Sequence, residues 1–158
     1  MQTSYTTAAQ NTGQKNPGLY LRQYILTGAF LKRINALAEQ TDSEEYFEIL
    51  KQSLECLNDG LNGALVESWF LLNTIRASGD EINFYRDRYG EKLKVGTRYA
   101  WDIGESAFYE NPNGEFDTDE IKVLRLMITS RLGVIGRVKM DNAKYGDFLR
   151  LAKIISGI

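Results

Sequence analysis

ALVESWFLLNTIR, residues 64–76, is the stretch on which the fold turns. Leu65, Val66, Trp69, Phe70, Leu71, Leu72 and Ile75 leave few polar positions on any side. A helix that is apolar around most of its circumference belongs inside a bundle. The stretch is therefore read as a buried core helix that ends near Ser78-Gly79, with Trp69 in the core. Its longest unbroken apolar run is only four residues, Trp69 to Leu72, far short of the ~18 a membrane span needs.

Just upstream, Gly60 and Gly63 are expected to break or bend the chain. Before them Thr41-Asp42-Ser43 opens a helix, with Asp42 and Glu45 at the spacing of a capping box. Tyr46, Phe47, Leu50, Leu54, Leu57 and Leu61 share one face at 100° per residue, and Glu44, Glu48, Glu55 and Asp59 fall opposite. An earlier helix starts at Asn16-Pro17, an N-cap residue followed by proline at the first helical position, and runs to about Glu39. Leu19, Tyr20, Leu21, Tyr24, Ile25, Ala29, Phe30, Leu31, Ile34 and Leu37 cover more than one stripe of it. Such a helix is either central in the bundle or covered by a partner. Residues 1–15 are polar and read as a flexible tail.

Downstream, residues 80–110 admit more than one reading. Ile82, Phe84, Tyr85 and Tyr89 fit a helix ended by Gly90, Lys92 to Val95 alternate like a strand, and Thr97 to Tyr109 fit a helix with Ala100, Ile103 and Ala107 at helical spacing. A short hairpin is the alternative. Asn111-Pro112-Asn113-Gly114 is a turn. Asp117 and Glu120 then cap a long helix that reaches about Lys139. A last helix starts at Asn142, buries Tyr145, Phe148, Leu149, Ala152 and Ile155, and stops at Gly157. With two prolines and fourteen glycines in 158 residues, helices suit the chain better than a many-turned β fold. The expected architecture is an all-α, single-domain bundle of about five to seven helices over residues 16–158. At 43% hydrophobic and 25% charged residues the composition is globular, and one domain of this length can bury a core without staples.

The same composition narrows the chemistry. No histidine is present and Cys56 is the single cysteine, which removes Ser-His and Cys-His catalysis, HExxH zinc sites and an internal disulfide. Cys56 reads as a packing residue, since nothing nearby would lower its pKa. No Walker or GxGxxG sequence occurs. Asn111, Asn113, Phe116, Asp117 and Glu120 can be laid on an EF-hand loop around Gly114, but Tyr109 stands where the first aspartate should be and Pro112 lies inside the loop. A turn followed by a helix cap accounts for the same residues, and acids at a helix N-terminus favour its dipole. No enzyme activity, metal or cofactor is expected. The N-terminus has no apolar signal region, so the cytoplasm is the expected location.

Charge is unevenly spread. The net charge is −2, yet from Lys122 onward there are eight Lys or Arg and two acids, while residues 39–67 hold eight acids and one lysine and residues 102–120 hold seven acids and no base. On the 122–139 helix, Lys122, Arg125, Thr129, Gly133, Gly136 and Arg137 share a face on which small and basic residues let a phosphate backbone approach closely. Such a face is a nucleic-acid track or a seat for an acidic protein. A solvated face neutralised by acidic neighbours explains it as well. Aromatics interleave with bases in Phe84-Tyr85-Arg86-Asp87-Arg88-Tyr89 and in Arg98-Tyr99-Ala100-Trp101, the composition of a single-strand platform. Amphipathic packing, with aromatics inward and arginines outward, explains them too, and no RNA-recognition or OB strand motif accompanies them. Arg131 falls opposite the basic stripe among apolar residues, and Glu67 is isolated in the core helix. A buried charge needs a partner, so the two are expected to form a structural ion pair, or to mark a subunit seam.

In size, helicity and lack of catalytic residues, roughly residues 16–158 resemble the helical small subunits of CRISPR effector complexes. The residues set against that class are Lys122, Arg125, Arg137, Lys139, Lys144, Arg150 and Lys153, to which the aromatic stretches add Arg86, Arg88 and Arg98. No diagnostic motif accompanies them. The resemblance implies a non-catalytic bundle of antiviral defence that contacts single-stranded nucleic acid or a guide–target duplex beside other protein subunits, away from membranes. An acidic pI of about 5.3 and the apolar first helix favour the other reading, a protein-binding adaptor, chaperone or homo-oligomer.

Overall fold

Asn62 starts the central helix. Its side-chain oxygen accepts from the amides of Ala64 (2.9 Å) and Leu65 (3.2 Å), which satisfies donors that a helix N-terminus leaves free. In the computed structural model, which describes residues 17–39 and 44–158, this helix is α3, Gly63–Ala77. Every residue from Ser68 to Ile75 is buried, as the apolar composition predicts. Around α3 pack α1 (Pro17–Ala38), α2 (Glu44–Asn58), α4 (Thr118–Thr129) and α6 (Asn142–Ser156), with a single turn, α5 (Leu132–Ile135), against α2 and α4. Strands β1 (Arg98–Asp102), β2 (Ala107–Glu110) and β3 (Phe116–Asp117) complete the described elements. The expected tail over 1–15 and the caps at Asn16 and Asp42 lie outside the described residues.

The two N-terminal helices differ in how they meet α3. On α2, Tyr46, Ile49, Leu50 and Leu57 are buried, but Phe47, expected on the same face, is 68% exposed. The chain then turns through Gly60, whose φ of 91° suits glycine. On α1, Phe30 and Ile34 are buried, and Phe30 stacks on Phe70 with ring centroids 4.2 Å apart. The helix is nonetheless peripheral: Tyr20, Leu21, Tyr24, Ile25 and Leu31 are all exposed.

Residues 80–117 correct the all-α expectation. The chain is mostly helical, but it carries a three-stranded antiparallel sheet in the order β2-β1-β3. Where a helix over Thr97 to Tyr109 was one reading, β1 and β2 form a hairpin that pairs Ala100 with Tyr109 and Trp101 with Phe108. Aromatic pairs across strands outweigh the helical spacing of Ala100, Ile103 and Ala107, and Ile103 lies 69% exposed in the connecting turn. The stretch from Ile82 to Gly90 is likewise not a helix. Asn83 accepts from the amides of Tyr85 and Arg86, and Asp87 from those of Tyr89 and Glu91, so side chains divert the backbone from helical bonding. Gly114 lies against β1, where an added Cβ would come within 2.3 Å of the Tyr99 backbone. Phe116 stacks on Phe148 of α6, centroids 5.8 Å apart, and joins the sheet to the helical core.

The helix expected from Asp117 to Lys139 begins as predicted and ends early. Asp117 and Glu120 form a reciprocal capping box, with bonds of 2.8 and 2.9 Å. At Ser130 and Arg131 the backbone turns extended, and buried groups take up what the break exposes. Trp69 Nε1 donates to the Ser130 carbonyl (3.1 Å), Asn73 Nδ2 to the Met127 carbonyl (2.8 Å), and the Leu132 amide donates to Gln52 Oε1 (3.1 Å). The break is thus held by α2 and α3, and their side chains replace the hydrogen bonds a continuous helix would have made. The last helix begins and ends as expected, but Leu151 is buried where Leu149 and Ile155 were expected to be. Tyr145, Phe148, Leu151 and Ala152 are buried, Leu149 and Ile155 pack partly buried against the core, and Gly157 caps it with φ 72°.

Candidate nucleic-acid interface

The break at Ser130 dissolves the single basic stripe. Lys122 and Arg125 stay on α4, whereas Gly133, Gly136 and Arg137 belong to α5 and its end. Gly136 is no open approach for a phosphate either, because a Cβ there would meet the Leu61 side chain at 2.9 Å. Arg131, expected to be buried, is exposed and sits 3.4 Å from Glu48. Glu67 instead faces Lys153 at 4.0 Å. The expected Glu67–Arg131 pair is therefore not made, because the extended backbone at the break carries Arg131 away from the apolar face. Burial pushes the Glu67 carboxyl up, and Lys153 partly offsets this.

Most of the remaining bases face acids. Lys144 is partly buried and contacts Glu120 (2.9 Å), Asp147 (3.0 Å) and the Glu115 carbonyl (2.9 Å). Burial alone would lower its pKa, but the hydrogen bonds to Glu120 and Asp147 raise it. Arg150 bonds Asp147 and approaches Glu115 at 3.5 Å. Lys122 pairs with Asp119 at 3.2 Å. Arg88 donates to Asp102 (2.8 Å) and stacks on Tyr109, 4.4 Å from its centroid. Arg98 donates to the Gly114 and Glu115 carbonyls, which fastens the turn to β1. Arg137 and Lys139 are exposed and make no ion pair with a described residue.

Among the described residues, one hollow brings bases together with no acid in its lining. Tyr85, Arg86, Lys92, Leu93 and Arg125 line a hollow of about 340 Å³. An isolated antiparallel bridge sets Arg86 opposite Lys92, and the turn between them closes through the Asp87 carbonyl, which accepts from the Gly90 amide (2.9 Å). Asp87 is buried and spends its carboxylate on backbone amides. Arg125 reaches in from α4. Its Nε donates to the Phe84 carbonyl (2.7 Å), and its guanidinium lies 4.8 Å from the Tyr85 ring centroid. Arg86 donates one nitrogen to the Gly90 carbonyl (2.9 Å). Glu91 neighbours Lys92 in sequence but does not line the hollow. Two bases from one loop and one from a helix thus share the hollow beside a tyrosine that is 53% exposed.

The aromatic stretches divide accordingly. Phe84 and Tyr99 are fully buried and Trp101 is partly buried, edge-on to Phe108 at 4.9 Å. They are core, as the amphipathic reading has it, while Tyr85 and Tyr89 face outward. Lys92 was not among the expected site residues. Its signal is the glycine turn at Gly90, which folds it back onto the aromatic–arginine stretch.

Asn111, Asp117 and Glu120 serve the turn and the cap. Among the described residues no group of three or more Cys, Asp or Glu is placed to hold a metal ion, and no helix is long and apolar enough to cross a membrane. Cys56 packs partly buried on the core. Burial, then Asp59 and Glu55, push its thiol up, the direction opposite to activation. No protein-family model, curated protein or solved structure matches the chain.

Proposed function

We propose that this chain is a non-catalytic, cytoplasmic assembly subunit that contacts a nucleic-acid backbone at the Arg86–Lys92–Arg125 hollow. The observation that carries the reading is that these three bases share one surface hollow with no carboxylate in its lining. Phosphates there would displace no existing ion pair, unlike on α6, where they would compete with Asp147 and Glu115. Tyr85 supports single-stranded rather than duplex contact, since an unpaired base can stack where a paired one cannot. The role is that of the CRISPR small subunits the sequence resembles, which work beside other protein subunits. The lack of histidine and the unactivated Cys56 support a subunit that binds rather than reacts.

Photocrosslinking tests the location. A single-stranded oligonucleotide carrying 4-thiouridine or 5-bromodeoxyuridine should crosslink to the peptide that contains Tyr85. Crosslinks confined to residues 142–158 would contradict the assignment. The second reading, a protein-binding module, is favoured by one observation, the exposed apolar side of α1.

A further inference from the structure

Helix α1 has two sides of different character. Its inner side gives Phe30 and Ile34 to the core. Its outer side presents Leu21, Tyr24, Ile25 and Leu31, exposed by 59, 79, 58 and 43%, around Gly28, where an added Cβ would meet nothing within 4 Å. At 100° per residue these five positions fall on one stripe, with Lys32 on the same stripe and Arg22 at its border. Along that border runs a cleft of about 510 Å³ between α1, the α2–α3 turn and α6, lined by Arg22, Ile25, Leu26, Leu57, Leu149 and Glu67 among others, and Glu67 faces Lys153 at 4.0 Å. Ile25 belongs to both the stripe and the cleft, so the two form one apolar surface. Exposed patches of this kind on a folded protein mark interaction sites.

Charge selects the occupant. Between Pro17 and Ala38 the bases are Arg22, Lys32 and Arg33, and there is no acid. A second α1 laid on this one would set base against base. On a second copy's α2 only Glu48 is taken by Arg131 (3.4 Å) within the chain, while Glu44, Glu55 and Asp59 are exposed, so sedimentation must separate that occupant from a partner's helix. We propose that the outer face of α1, with the cleft along its Ile25 edge, is the docking groove for an acidic amphipathic helix of a partner protein. Apolar residues at helical spacing would enter the stripe and cleft, as in other helix-in-groove complexes. Flanking carboxylates would meet Arg22 and Lys32. The proposal is independent of the nucleic-acid reading, whose residues lie on the 84–93 loop and α4.

The test uses the full chain and two labelled synthetic helical peptides with the same leucine pattern, one with glutamate and one with lysine at its polar positions. Fluorescence anisotropy should show saturable binding of the glutamate peptide and at least tenfold weaker binding of the lysine peptide. The double variant Tyr24→Glu, Ile25→Glu should lose at least tenfold in affinity for the glutamate peptide, with an unchanged thermal midpoint because both side chains are exposed. Arg22→Gln with Lys32→Gln should lose severalfold and reduce the preference for glutamate over lysine. Equal binding of both peptides, or of neither, overturns the proposal. So does peptide binding that appears only after residues 1–15 are removed, which would make that segment the occupant. A concentration-dependent dimer in sedimentation velocity that the double variant abolishes would overturn it in favour of a second copy.

Discussion

The basic residues of α6 and those of the 85–93 hollow carry the same charge and have opposite surroundings. On α6, Lys144 sits against Glu120 and Asp147, with only 17% of its side chain exposed, and Arg150 leans on Asp147 and Glu115. In the hollow, Arg86 and Arg125 bond backbone carbonyls, Arg125 lies over the Tyr85 ring, Lys92 lines the same hollow, and no acid is in the lining. A run of positive charge in sequence therefore does not define a binding face. The acids packed around it decide it, here Asp147 on α6 itself, Glu115 after the Asn111–Gly114 turn and Glu120 on α4. Bases already paired stabilise the fold, and bases left over are available to a phosphate.

The largest effect belongs to the frame that keeps the regions apart. Trp69→Ala removes a core side chain together with the bond to the Ser130 carbonyl, and should cost about 3–5 kcal/mol in chemical denaturation. A denaturation midpoint within error of wild type would mean that Trp69 does not hold the break between α4 and α5.

Next is Lys144→Met, which should destabilise the protein by about 2–3 kcal/mol, somewhat below a fully buried pair, because Glu120 and Asp147 would lose their cation in a partly solvated site. Oligonucleotide affinity of the folded fraction should not change. The pH profile carries the same signature. Burial raises the Asp147 pKa, but the hydrogen bonds from Lys144 and Arg150 outweigh it and leave the carboxyl below its ordinary value. Its contribution is thus present above the unfolded pKa and is lost as pH falls through the lower, folded value. Acid titration should show that loss below about pH 4 in wild type and a weaker one in Lys144→Met. Identical acid limbs would show that the pair contributes nothing to stability.

A smaller effect with the opposite sign is expected at Glu67. Its folded pKa is raised by burial, so its ionisation costs stability at neutral pH, and the cost disappears as pH falls below the unfolded value. Glu67→Gln should raise the thermal midpoint by a degree or two at pH 7 and by nothing near pH 4. A lower midpoint at pH 7 would mean that the contact with Lys153 outweighs the burial.

Local chemistry makes part of this molecule legible from its residues. The capping box of Asp117 and Glu120, the stop at Gly157, the break at Gly60 and the core helix around Trp69 each depend on neighbours within a few positions. The break at Ser130 does not. It is held by Gln52, Trp69 and Asn73, three residues distant in sequence, and without it Arg131 reads as buried and paired with Glu67. The hairpin between β1 and β2 is ambiguous for a similar reason. Ala100, Ile103 and Ala107 keep helical spacing, and only pairing of Trp101 with Phe108 across the turn selects the strand. Of the ten bases expected to touch nucleic acid, Arg86 and Arg125 meet in the hollow. Their meeting depends on where α4 passes the 84–93 loop, which no single window of sequence contains.

The central claim is that the hollow, and not α6, holds phosphate. It is tested most directly by titrating a fluorescein-labelled single strand of about twenty nucleotides across a range of salt, for wild type, for Arg86→Gln with Lys92→Gln, and for Arg150→Gln with Lys153→Gln. Three phosphate contacts predict a log–log salt slope of about −2 for wild type, and one remaining contact about −0.7 for the hollow variant, with roughly tenfold weaker binding at low salt. The α6 variant should keep the wild-type slope and most of its affinity, because its bases are held by Asp147, Glu115 and Glu67. A hollow variant with an unaltered slope, beside an α6 variant that loses it, would contradict the account.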